Sequence, residues 1–177
     1  MNNEHLPARL PLVDNINAIF DKLPSINLFR AAANAPTLYP AFIQFMYLLF
    51  KPLELDARVE RLIVLYVGQL SDCIYIWRQN VAKSLGITEQ EIGAVQRQQT
   101  TADCFSAAQR AAFRFAEEAV RLIEVSDEVY AEASRFFGPR ALTEILYVVG
   151  TYMLLARVAR TGRVPLDEAP AAATSLE

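Results

Sequence analysis

The chain has 177 residues, 53% hydrophobic and 21% charged, with a formal charge of −3. That is enough length and apolar side chain for one domain with a substantial core, and it excludes a disordered polar chain. The basic residues, fourteen Arg and three Lys, are scattered along the sequence, which excludes the concentrated cationic face that nucleic acid requires.

Residues 1–26 read as an irregular segment punctuated by Pro7, Pro11 and Pro24, with one short helix near 13–22. The start, MNNEHLPARLPLV, has no charged head followed by a long apolar stretch, so no secretion signal is expected and the protein is assigned to the cytoplasm. Asn27 to Ala35 forms a short helix stopped by Pro36. Thr37 to Phe50 follows, with Pro40 tolerated in its first turn and a stripe of Phe42, Phe45, Met46, Leu49 and Phe50. Asp56 is suited to cap a helix running to Leu70, in which Val59, Leu62, Ile63, Tyr66 and Val67 repeat at three and four. A further helix is expected from Asp72 to Leu85, stopping at Gly86.

Two short motifs then mark helix starts. Thr88–Glu91 (TEQE) and Ser106–Gln109 (SAAQ) both have capping-box spacing, which predicts helices to about Gln98 and about Ile123. Asp127 to Phe137, closed by Gly138, and Pro139 to Arg160, ended by Gly162, complete the set. The apolar run Ile145–Ala156 is about half the roughly 20 residues needed to span a bilayer. It is read as a buried helix, and no membrane association is expected. The tail 169–177, APAAATSLE, reads as disordered. The prediction is an all-α fold of about eight helices. Several of them are apolar around much of their circumference, which predicts a homo-oligomer.

Metal and disulfide chemistry find little support. His5 is the single histidine, and Cys73 and Cys104 stand 31 residues apart. No structural zinc site can be assembled from that set, and no disulfide or cofactor is expected.

The segment Asp56–Ile92, DARVERLIVLYVGQLSDCIYIWRQNVAKSLGITEQEI, resembles the core signature of the carboxymuconolactone decarboxylase-like family, which includes the AhpD-like alkylhydroperoxidases. Flanking pieces resemble the family in order and spacing: LFRAAANAP from Leu28, SDEVY from Ser126, ALTEILYVVGTY from Ala141 and VPLDE from Val164. The likeness covers residues 27–168 and implies an all-α domain that assembles as a dimer, trimer or hexamer.

The resemblance also implies where chemistry would sit. In the peroxidase branch two cysteines one helical turn apart act with a Glu and a His. Here the first cysteine position is Cys73, the second falls on Ile76, the His on Asn80 and the Glu on Arg61, with Glu60 adjacent. A one-residue step turns a helical side chain by about 100 degrees, so Glu60 does not automatically replace the missing acid. Without a second thiol or a base, two-cysteine peroxide turnover is not expected. In the decarboxylase branch the corresponding Tyr-Glu-Trp-x-x-His reads Tyr75 to Asn80, YIWRQN, so the standard acid and His are absent there too.

Helical spacing puts Cys73, Ile76, Trp77 and Asn80 on one face. With Arg61 or Tyr66 from the preceding helix they could line a polar cleft, Arg61 holding a carboxylate and Asn80 orienting a ligand oxygen. Catalytic candidates are therefore Cys73, Asn80, Glu60 and Arg61. Binding candidates are Arg61, Tyr66, Ile76, Trp77 and Glu144, the last at the head of the apolar run. The competing interpretation is plainer: a buried cysteine packs as a small hydrophobe, Trp77 as core, and Glu144 as a helix-start carboxylate. Three functions stay open. The chain acts on or binds a small carboxylate- or carbonyl-bearing molecule without metal, it is a non-catalytic oligomer, or it is a single-cysteine antioxidant using Cys73.

Overall fold

The computed structural model describes residues 7–19, 21–81 and 86–168. Among these the regular structure is α-helical: α1 (Asn27–Ala32), α2 (Tyr39–Leu49), α3 (Ala57–Leu70), α4 (Ile74–Val81), α5 (Glu89–Gln96), α6 (Ala107–Arg121), α7 (Asp127–Ala133) and α8 (Pro139–Gly162). A 3-10 turn at Ile16–Ala18 stands where a short helix over 13–22 is predicted. Pro11 and Pro24 bracket that segment, and Asn15 is left-handed at φ 56°, so no α-helix propagates. The expected tail at 169–177 and the expected end of α4 at Leu85 lie outside the described residues.

The chain divides into two compact units, Met1–Pro52 with Leu154–Glu177, and Leu53–Met153. In the first, the Asn27 amide donates to Asp167 Oδ1 (2.9 Å), and Asn27 Nδ2 donates to the Pro165 carbonyl (3.2 Å). The amides of Arg9 and Leu10 donate to the Gly162 carbonyl at 2.8 and 3.2 Å. A Cβ at Gly162 would stand 2.8 Å from Leu10 Cδ1, so a larger residue there would have to push the Leu10 side chain aside. Gly162 is the last helical residue, and Arg163, at φ 50°, makes the left-handed turn expected of the glycine.

The second unit is built around α3. Asp56 caps it, accepting from the amides of Arg58 (3.0 Å) and Val59 (3.1 Å), a cap stabilising by about 1 kcal/mol. From Leu62 to Gly68 every residue of α3 is buried. Gly68 lets α4 approach closely: a Cβ would lie 3.1 Å from Ile76 Cγ2. Between the two helices Asp72 is left-handed at φ 47°, so α4 starts at Ile74, two residues later than expected. Both predicted capping boxes form, at Thr88/Glu91 and at Ser106/Gln109. Helix α6 stops at Arg121 because Ile123 adopts φ 70°.

By length and composition α8 could cross a membrane, but 56% of its most apolar window is buried inside the protein, as in a core helix.

Candidate functional site

Residues from three helices of the second unit meet around Arg61. From α3, its Nη1 donates to Asn80 Oδ1 of α4 in a short contact. Asn80 is itself buried and fixed, because its Nδ2 donates to the Ile76 carbonyl one turn back (2.8 Å). From α8, the fully buried hydroxyl of Tyr152 accepts a hydrogen bond from Arg61. Among the described residues, Arg61 Nε is a buried donor that no acceptor satisfies. A guanidinium offers five N–H donors in a planar fork, and leaving one unpaired in the interior costs about 1–3 kcal/mol.

Glu60 joins this cluster from the preceding position of α3. Burial pushes its carboxyl above the ordinary range, the Arg61 guanidinium pulls it part of the way back, and the charge of Glu144 pushes it up again. Glu144, two turns before Tyr152 on α8, has the opposite bias. Burial opposes its ionisation, but the amides of Leu55 and Glu54 and the Arg140 guanidinium outweigh that and hold its pKa low. The Leu55 amide lies 2.8 Å from Oε2 and Arg140 Nε 3.0 Å from Oε1. Burial pushes the Tyr152 phenol up to about 12. The positive charge of Arg61 pulls it down, Glu60 pushes it up, and the Arg61 hydrogen bond lowers it again.

The structure thus brings Arg61, Asn80 and Glu60 together, with Glu144 within electrostatic reach. It does not place the remaining candidates with them. Tyr66 donates instead to Glu117 Oε2 (2.8 Å), on α6, and stacks edge-on against Phe113. Burial and that carboxylate raise its pKa. Trp77 packs in the core with Leu62, Leu65, Tyr66, Val95, Phe105 and Phe113. Ile76 fills the space above Gly68. Cys73 is buried at 3% exposure, its amide donating to the Gly68 carbonyl (2.9 Å), while Cys104 is partly exposed; neither is in a disulfide. Among the described residues no group of three or more His, Cys, Asp or Glu side chains is placed to hold a metal.

Tyr152 is the member that sequence reasoning passed over. Its signal was its place in ALTEILYVVGTY, on the same helix as Glu144 and two turns beyond it.

A partly buried cationic fork, an amide and a pair of dissimilar carboxyls on three helices define an all-α fold with a polar site. Residues 36–118 match the model of the carboxymuconolactone decarboxylase family. Solved structures share the fold along nearly the whole chain. The debrominase Bmp8 in complex with 2,3,4-tribromopyrrole superposes with a TM-score of 0.77 at 17% identity, covering 94% of this chain and 95% of that one. An uncharacterised peroxidase-related protein from Ralstonia eutropha, described as an alkylhydroperoxidase AhpD core, gives 0.71 at 20% identity, covering 93% and 94%. A peroxidase-related protein from a Silicibacter species gives 0.71 at 21%, covering 95% and 96%. At such identities the likeness establishes the fold. Among curated proteins there is no significant match.

Proposed function

We infer that this chain binds, and acts on, a small carboxylate- or carbonyl-bearing organic molecule at the Arg61–Asn80–Tyr152 cluster, without two-cysteine peroxide chemistry. The observation that carries this reading is the Arg61 fork, held by Asn80 and Tyr152 while its buried Nε lacks an acceptor. A carboxylate oxygen is the acceptor such a fork fits best, and a charge-assisted bond there is worth more than a neutral one. Ile76 at the second cysteine position and Asn80 at the His position supply neither a resolving thiol nor a base.

Calorimetric titration with acetate, benzoate and maleate tests the reading. Binding of at least one is expected, weakened tenfold or more in Arg61→Gln and unchanged in Arg78→Gln, whose side chain is exposed. No binding, or binding indifferent to Arg61, overturns it.

A non-catalytic member of the family is the second reading. It draws on Trp77 and Tyr66, which pack in the core instead of turning toward Arg61. The single-cysteine antioxidant reading draws least support, since Cys73 is buried. Self-association and a cytoplasmic location remain part of the proposal. Exposed Leu146, Tyr147 and Leu154 on α8 support the first, and light scattering of the purified chain tests it.

A further inference from the structure

Gly150 sits near the middle of the 24-residue helix α8 and is exposed. Among the described residues, nothing packed against it comes within 4 Å of where a Cβ would stand. Gly68 on α3 is the contrast, since its missing Cβ makes room for Ile76 Cγ2 at 3.1 Å. A glycine in a helix interior weakens the helix relative to alanine, so one with no neighbour to admit inside the chain has its use outside it. The residues around Gly150 indicate what that neighbour is. At about 100° per residue, Thr143, Leu146, Tyr147, Gly150, Met153 and Leu154 share one side of α8, while Val148, Val149 and Tyr152 are buried on the other. Leu146, Tyr147 and Leu154 are 45, 56 and 46% exposed. From Thr143 to Leu154 no charged residue falls on that side. The segment 146–154, LYVVGTYML, also mirrors itself about Gly150. Leu146 stands four residues before it and Leu154 four after, Tyr147 three before and Met153 three after.

We propose that a second copy of this chain docks on that face, the two α8 helices crossing antiparallel about a two-fold axis at Gly150. An isologous interface must be complementary to itself. In an antiparallel pair, a residue some places before the crossing meets the residue as many places after it on the other helix. Leu146 then meets Leu154 of the partner subunit, and Tyr147 meets Met153, whose thioether packs well on an aromatic ring. Glycine meets glycine where the two backbones come nearest. Because the face is uncharged, two copies of a chain of net charge −3 join here without setting like charges against each other. An unrelated protein partner has no use for the mirrored order, and a lipid surface has none for the glycine. Tyr152 lies on the buried side of the helix, so the pairing leaves the Arg61 cluster as it is. The inference rests on the self-association proposed above and gives it a place, a symmetry and a register.

Sedimentation equilibrium of the full chain from about 1 to 100 µM tests it. A dimer, or a larger assembly of even number, is expected. Gly150→Leu should weaken the association tenfold or more while helical circular dichroism is kept, because the leucine enters open space. Arg78→Gln, exposed on α4, should leave it unchanged. Gly150→Cys in a Cys104→Ser background should give a cross-linked dimer under mild oxidation with diamide, since a disulfide needs Cα atoms within about 7 Å. Thr143→Cys in the same background, two turns from the crossing, should not. If Gly150→Leu fails to fold, the cross-link decides. A monomer at every concentration, whether or not it sediments with phosphatidylcholine vesicles, overturns both this pairing and the self-association. An odd-numbered assembly, or one that Gly150→Leu leaves intact and Gly150→Cys does not cross-link, overturns the pairing alone.

Discussion

Glu91→Gln tests how α5 is tied to α3. The Glu91 carboxylate is 3% exposed and accepts from Arg58 Nη2 with both oxygens, at 2.7 and 2.6 Å. Its Oε2 also accepts from the Thr88 amide and hydroxyl, each at 2.8 Å. Glutamine keeps the shape but removes the charge and turns an NH2 toward one of these donors. Breaking a fully buried pair costs about 3–5 kcal/mol. The Arg58 side chain is 36% exposed, so water recovers part of its charge, and about 1–2 kcal/mol is the reasonable share. One donor left unpaired adds about 1 kcal/mol. The sum is about 2–3 kcal/mol, or a fall in Tm of roughly 4–12 °C for a chain of this size. Urea unfolding should show the midpoint falling at constant m-value. The Arg58→Met, Glu91→Gln double variant should lose less than the two single losses added. A single-variant loss under about 0.5 kcal/mol would refute the view that this pair fastens the two helices.

Four further outcomes are expected. Glu60→Gln should raise Tm at pH 7 relative to wild type, with the gain vanishing in acid. A carboxyl raised in the folded state contributes stability below its unfolded value of about 4.3 and loses it as pH rises through the folded midpoint, a loss that Gln escapes. Thermal melts across pH check this. The Arg61→Met, Asn80→Leu double variant should fold with stability within about 1 kcal/mol of wild type or above it, because it removes a buried unpaired donor, while benzoate binding is lost. Gly68→Ala should change stability by less than about 1 kcal/mol, measured by denaturant titration, because the pressure on Ile76 is offset by the roughly 1 kcal/mol that alanine gains over glycine inside a helix. A thiol reagent should label Cys104 promptly and Cys73 only as the fold opens, read by mass spectrometry after timed quenching.

The features that could be read from the sequence are those whose cause is local. Asp56, Thr88–Glu91 and Ser106–Gln109 announce helix starts because side chain and amide lie within three residues of one another. The left-handed residues Asp72 and Ile123 carry no such signal, and helix ends near them were misjudged by two residues. At the site, helical spacing put Trp77 and Asn80 on one face of α4, but it cannot say which neighbour each meets. Trp77 faces the aromatic core and Asn80 meets Arg61. Tyr66 was misleading for the same reason, since its position on α3 does not reveal that Glu117 waits on α6. Glu144 lies past the first turn of α8, and its partners, the amides of residues 54 and 55, are set by tertiary folding.

The turn at Ser71–Cys73 has a consequence for how this interior can change. Because Arg61 and Asn80 lie on two arms of one hairpin, 19 residues apart, their meeting needs only a short loop to close. The α8 side chains must come from much farther along the chain, Glu144 reaching back 89 residues to Leu55. Exchanging both hairpin residues together would therefore remove this polar pair while the α8 side chains stayed as they are. A lineage could trade one kind of guest for another through a cassette of about twenty residues.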